Sequence, residues 1–314
     1  MSEALYGKSI LNLTELTKED IHQIIQLGIK MKQAPLDYKD TLSGKILAMI
    51  FEKNSTRTRV SFEAGIIQLG GQAIVLDSKS TQMGRGEPVK DTAKVMSGYV
   101  DGIMIRTYSD QMVQELADEA DIPVINGLTD NHHPCQVLAD FMTIYEVKGK
   151  LTGLKLAYIG DGNNMAHSFL IGGSIAGMDI SIASPDGYQP EPTFISLAEE
   201  YAKVSGSTIV VTENPAEAVL EADIIVTDVW ASMGDEEQQE ERVKAFHKYQ
   251  VNEQLVQQAK ADYMFLHCLP AHREEEVSAD IIDGSHSYIY QEAENRLHAQ
   301  KALLANVMKE TSVI

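Results

Sequence analysis

A chain of 314 residues is long enough for one large or two medium domains. Its 26 Lys and Arg against 46 Asp and Glu give a formal charge of −20, which argues against a general nucleic-acid binder, since such a protein needs a basic footprint. Two cysteines far apart, no basic start leading into a long apolar run, and no stretch of membrane-span length set the expectation of a soluble, cytoplasmic chain.

In chain order, a helix is expected over about Lys18–Met31, followed by a buried strand at Lys45–Phe51 ("KILAMIF"). A helix over Thr56–Leu69 comes next, with Val60, Ala64 and Ile67 on one face. Then "AIVLD" reads as strand, "VKDTAKVMSGY" as helix, "GIMIRT" as strand, "QMVQELADEA" as helix and "PVINGL" as strand. A helix opening near Pro134 interrupts this series, and the alternation restarts with "LKLAYIG" as strand and "NMAHSFLIGGSIAG" as helix. It continues through "DISIAS", "FISLAEEYAKVSG", "STIVVT", "PAEAVLEA", "DIIVTDV" and "DYMFLHCLP". A last helix over about Asn295–Lys309 is expected to pack on the outside, like the first. Strands alternating with helices imply parallel sheets with right-handed crossovers. The expected fold is therefore α/β, with two domains, each a mostly parallel sheet flanked by helices, joined by helices.

In such sheets ligands bind beyond the carboxyl ends of the strands. Ser55, Thr56, Arg57, Thr58 and Arg59 follow the first strand, and Arg106 ends "GIMIR". His133 and Gln136 follow "PVINGL", Asn163 and Asn164 follow "LKLAYIG", Asp228 follows "DIIVT", and His267 and Cys268 follow "DYMFL". Polar and reactive residues return to the same end of both expected sheets.

Each motif has a plainer alternative. Ser55 can be an N-cap and the arginines beside it surface pairs; the functional reading is a helix N-terminus, hydroxyls and a guanidinium holding a phosphate. No GxxxxGK[ST] points to a nucleoside triphosphate. "GDGNNM" departs from a dinucleotide fingerprint, because Met165 stands at the third glycine position and no acidic residue closes the next strand. "HHPCQ" has no common zinc-ligand spacing, so His133 reads as a donor to a carbonyl oxygen or as a core histidine. Cys268 has no base pattern around it, as covalent thiol chemistry would require. The acidic run after "SMG" reads as a solvated face.

Taken in order, "STRTR", "QMGRGEPVKDTA", "MIRT", "HHPCQVLAD", "GDGNNMAHS", "TDVWASMG", "HCLPA" and "EAENRLHAQ" resemble the aspartate/ornithine carbamoyltransferase superfamily over nearly the whole chain. "STRTR" with "HPxQ" carries the superfamily resemblance, and "DxxxSMG" with "HCLP" narrows it to the ornithine carbamoyltransferases. A putrescine-type relative is expected to lack the SMG loop, and an aspartate-type one to lack both SMG and HCLP. The resemblance implies transfer from carbamoyl phosphate to L-ornithine, giving L-citrulline and phosphate, with no cofactor and no metal. It implies a carbamoyl-phosphate domain at 1–133, a linking helix at 134–148, an ornithine domain at 149–290, and a terminal helix at 291–314 packing back on the first domain. It further implies a homotrimer or a multiple of trimers with sites shared between subunits.

By motif match, Ser55, Thr56, Arg57 and Thr58 grip phosphate, Gln82 reaches a neighbouring subunit's phosphate, and Arg59 is structural. Arg106, His133 and Gln136 contact the carbamoyl group, with Cys268, Leu269 and Arg296 completing that pocket. Asn164, Asp228, Ser232 and Met233 contact ornithine. Arg106, His133, Asp228 and Cys268 are the implied catalytic set. The alternatives kept open are a carbamoyltransferase for putrescine or another amine or amino acid, a catalytically silent carbamoyl-phosphate binder, and a dehydrogenase of dinucleotide-binding fold.

Overall fold

A computed structural model describes residues 5–77, 86–231 and 239–310. The chain divides into two compact units, one running to Met142 and resuming at Glu294, the other spanning Thr143–Ala293. The division falls inside the helix Pro134–Lys148 rather than at its ends.

In the first unit the strands β1 (Ile46–Phe51), β2 (Gln72–Asp77), β3 (Gly102–Arg106) and β4 (Val124–Leu128) form a parallel sheet in the order β2-β1-β3-β4. Its helices are α1 (Lys18–Gln33), α2 (Thr56–Gln68), α3 (Val89–Ser97), α4 (Asp110–Glu119) and the start of α5 (Pro134–Lys148). β1 and β3 are buried nearly end to end, as apolar runs covered on both faces must be. The order reverses direction between β1 and β3, which makes the carboxyl ends of these two strands the topological switch point. Phe51 pairs with Arg106 there, so the chain leaves both strands side by side.

In the second unit β5 (Lys155–Ile159), β6 (Asp179–Ala183), β7 (Ile209–Thr212), β8 (Ile224–Thr227) and β9 (Met264–His267) are parallel in the order β7-β6-β5-β8-β9. The helices are α6 (Asn164–Ala176), α7 (Pro192–Ser205), α8 (Pro215–Val219), α9 (Gln239–Phe246), α10 (Glu253–Val256) and α11 (Ala279–Ile282). α6 is buried from Met165 to Ala176, which explains its nearly unbroken apolar and small-residue composition. The switch point lies between β5 and β8, where Ile159 pairs with Thr227 and Thr227 with His267.

Two expectations are corrected. The face of α2 carrying Val60 and Ile67 is more than half exposed, and the buried face carries Thr58, Phe62, Gly65 and Ile66. Periodicity finds two apolar stripes on this helix and does not say which one meets the sheet. The last helix, α12 (Ile289–Met308), does not lie outside: every residue from Leu303 to Met308 is buried. Earlier in the same helix α1 comes close at Gly28, where a Cβ would lie within 3.2 Å of the His298 carbonyl oxygen.

Candidate active site

In the first unit the site is built on the N-terminus of α2. Ser55 is extended, and its Oγ accepts the Thr58 N–H at 3.2 Å, capping the helix. The remaining first-turn amides form the positive end of a helix that opens at the switch point. Thr58 is fully buried, and two guanidinium groups converge on its Oγ1: Arg296 donates from Nη2 at 2.8 Å and Arg106 from Nη1 at 3.4 Å. Both arginines are themselves buried. Thr56 and Arg57 are exposed on the same turn, whereas Arg59 lies 3.7 Å from Glu63 in an exposed i,i+4 pair.

His133 is buried immediately before α5. Burial first, then the charges of Arg296 and Arg106, hold its pKa well below the ordinary histidine range. Its ring is therefore neutral at pH 7 and has one N–H to donate. Gln136 donates from Nε2 to Asp140 at 2.8 Å, which fixes its amide orientation. Lys53, just before the STRTR stretch, is buried, pairs with Asp130 at 2.5 Å and lies 4.1 Å from the centre of the Tyr108 ring. Cys135 is a different kind of residue: burial pushes its thiol up to about 12, and it donates to the Asn126 carbonyl at 3.5 Å, an inert core position.

In the second unit Asp228 follows β8. Its Oδ1 accepts the Cys268 thiol at 3.2 Å and its own neighbour's N–H, from Val229, at 2.8 Å. Its Oδ2 accepts Nδ2 of Asn163 at 3.3 Å. Asn163 is the N-cap of α6, and its Oδ1 also accepts the Tyr158 hydroxyl at 3.2 Å. Burial, then the nearby Asp228, Asp161 and Cys268, raise the Tyr158 pKa well above the usual phenol, so this hydroxyl stays protonated and donates. Asn164 is the first residue of α6, half-buried beside this cap. Leu269, after Cys268, has φ of 57°, an uncommon value for a side chain of its size and a place where a loop conformation is held by its surroundings.

Asp228, His267 and Cys268 bring three possible metal-ligating atoms within 4.8 Å of one another. His267 is already committed, however. Its Nδ1 accepts the Leu269 N–H at 2.9 Å, which leaves the proton on Nε2, facing Glu276 at 3.1 Å. A cation bound through His267 would have to break one of these buried contacts, so the set fits a metal poorly.

Residues 8–146 match the carbamoyl-phosphate-binding domain of aspartate/ornithine carbamoyltransferases, and residues 152–307 match their aspartate/ornithine-binding domain. The ornithine carbamoyltransferase of Listeria innocua is 62% identical over 304 residues, 96% of each chain. That of Bacillus subtilis is 59% identical over 97% of this chain and 95% of its own. The solved ornithine carbamoyltransferase of Pyrococcus furiosus superposes with a TM-score of 0.95 at 50% identity, covering 99% of this chain and 100% of that one. The chain belongs to the aspartate/ornithine carbamoyltransferase family.

For a carbamoyltransferase the second glycine of "GDG" has a packing explanation rather than a dinucleotide one. A Cβ on Gly162 would lie 2.2 Å from the Pro190 backbone nitrogen, so glycine is needed for close approach of two loops. The structure brings Thr58, Arg106, His133 and Arg296 together in the first unit, and Asn163, Asp228 and Cys268 in the second. Gln82, Ser232 and Met233 lie outside the described residues. Motif reading does not reach Tyr158, which looks like any strand aromatic, or Arg242, whose partner is 81 positions away. No helix among the described residues is long and apolar enough to cross a membrane.

Proposed function

We propose that this carbamoyltransferase transfers the carbamoyl group of carbamoyl phosphate to the side-chain amine of L-ornithine, giving L-citrulline and phosphate. The observation that carries this reading is the convergence of two buried guanidinium groups on Thr58 at a helix N-terminus, with the neutral His133 close enough to feel both charges. That arrangement suits a phosphate joined to a polarised carbonyl. Such a donor needs its carbonyl oxygen stabilised as negative charge develops, and Arg106, His133 and Thr58 are the donors for it. The exposed Thr56 and Arg57, with the Ser55 cap, complete the phosphate grip. Gln136, Cys268, Leu269 and Arg296 are assigned to the carbamoyl group.

The acceptor's amine attacks the carbamoyl carbon, a C–N bond forms, the C–O bond to phosphate breaks, and the nitrogen loses a proton. A free alkyl ammonium with a pKa near ~10.4 presents its neutral form at pH 7 only at a cost of about 4–5 kcal/mol. The Asp228 carboxylate, with Cys268 donating to it at 3.2 Å, is the group assigned to position the ammonium and receive or relay its proton. Asn164, Ser232 and Met233 are assigned to the groups that ornithine has and a plain diamine lacks. We further propose that the chain works in the cytoplasm, in arginine metabolism, as a homotrimer in which Gln82 hydrogen-bonds the phosphate held by a neighbour.

The test is a stoichiometric assay of the purified chain. Carbamoyl phosphate and L-ornithine should yield citrulline and phosphate one to one, with no phosphate above the hydrolysis background when ornithine is omitted. Phosphate release without citrulline would refute the assignment.

A further inference from the structure

The second unit holds a buried ion pair that the reaction described above does not use. Arg242, on α9, donates from Nη1 to Asp161 at 2.7 Å and to the Trp230 carbonyl oxygen at 2.9 Å. The side chains of Arg242 and Asp161 are only 11% and 12% exposed. The guanidinium carbon lies 5.2 Å from the centre of the Tyr188 ring. One side chain thus engages three segments: the loop after β5, the chain leaving β8, and the loop before α7.

Two of these segments flank the switch point. Asp161 stands two residues before Asn163, whose amide holds Asp228 Oδ2 and whose carbonyl caps α6. Trp230 stands two residues after Asp228 and stacks on Phe246, in the last turn of α9, with ring centres 6.0 Å apart. Tyr188 meets the same Phe246 edge-on at 4.9 Å, and its carbonyl accepts the Gly162 N–H at 2.7 Å. Arg242 is therefore the polar centre of a small aromatic cluster that fixes both flanks of Asp228. In sequence, Trp230 and Arg242 also bracket Ser232 and Met233. An electrostatic consequence follows as well. Arg242 holds a positive charge against the buried Asp161 carboxylate, and both Asp161 and Asp228 lie near Tyr158, so loss of Arg242 would add uncompensated negative charge on the side of the site where Asp228 stands.

We infer that Arg242 is a positioning residue for the amino-acid substrate, acting through Asp161 and the Trp230 carbonyl to fix Asp228 and Asn163. This rests on the reading that the second unit binds ornithine. Arg242→Gln should raise the KM for ornithine at least tenfold while leaving the KM for carbamoyl phosphate within about twofold. Arg242→Lys keeps the charge but not the fork geometry and should fall between. Asp161→Asn combined with Arg242→Gln removes the carboxylate charge that Arg242 no longer offsets and should recover part of the ornithine KM, a rescue that a merely structural role would not produce.

The assay varies each substrate separately for wild type, Arg242→Lys, Arg242→Gln and the double variant, with melting temperatures measured alongside. An ornithine KM within twofold of wild type in folded Arg242→Gln overturns the inference. So does a loss that affects both substrates alike and is not relieved in the double variant. If Arg242→Gln does not fold, Arg242→Lys and the double variant decide by the same criteria. A wild-type chain that neither binds nor carbamoylates ornithine overturns the functional reading, and this inference with it.

Discussion

Replacing Arg106 with Met removes one of the two guanidinium groups at Thr58 while keeping a side chain of similar reach. Nη1 of Arg106 and Nη2 of Arg296 touch the same oxygen at 3.4 and 2.8 Å, so they are no more than about 6 Å apart. At an effective dielectric constant of about 20, two such charges repel by about 3 kcal/mol, a cost carried by the ligand-free protein and relieved when an anion binds. The substitution should therefore not lower the melting temperature of the ligand-free protein. It should cost binding: a charge-assisted hydrogen bond to a buried anion contributes about 1.5–3 kcal/mol, or roughly a ten- to 150-fold rise in the KM for carbamoyl phosphate. The turnover number should fall too, because Arg106 is assigned to the developing oxyanion. Initial rates against carbamoyl phosphate at saturating ornithine, with thermal melts with and without carbamoyl phosphate, measure all three effects. A KM and kcat within twofold of wild type would refute the assignment of Arg106. A large drop in ligand-free stability would refute the account of two guanidinium groups repelling at one hydroxyl.

Other residues give separate tests. Arg57→Ala removes an exposed cation from the first turn of α2 and should raise the carbamoyl-phosphate KM about tenfold or more without changing stability; an unchanged saturation curve at low carbamoyl phosphate rules out its place in the grip. The pKa of His133 is lower in the folded than in the unfolded chain, so the stability it contributes is present above about pH 6.5 and is lost as pH falls toward its folded value. Urea midpoints of wild type and His133→Asn at pH 7.5 and 5.5 should show the smaller acid loss in the variant, and equal losses would contradict this. Cys268→Ser keeps a donor to Asp228 and should retain most activity, whereas Cys268→Ala loses the 3.2 Å contact and should lose tenfold or more in kcat/KM for ornithine; equal behaviour of the two variants would refute a role for that contact.

The alternation of strands and helices is legible in the sequence because buried parallel strands leave short apolar runs such as "ILAMIF" between amphipathic helices. The placement of the polar clusters is legible for the same reason: once the strands are found, the switch-point rule says which of their ends to search. What is not legible depends on contacts between distant positions. The stripe of α2 with Val60 and Ile67 is as apolar as the one with Phe62 and Ile66, and only the packed sheet selects between them. The close approach of α12 to α1 at His298 needs Gly28, far away in the chain. In the site, "STRTR" announces an anion grip, but the arginines that reach Thr58 come from positions 106 and 296 rather than from the motif itself. The Asp161–Arg242 pair joins a motif to an acidic helix that reads as a solvated face, and nothing local marks it.

The most direct measurement is a competition in one tube: labelled carbamoyl phosphate with equal concentrations of L-ornithine, putrescine and L-aspartate, the products separated and identified by mass. The account predicts citrulline as the dominant labelled product, because a site built to hold an amino acid's α-groups leaves buried polar partners unmet by a diamine. N-carbamoylputrescine in comparable yield, or N-carbamoylaspartate as the main product, would contradict it.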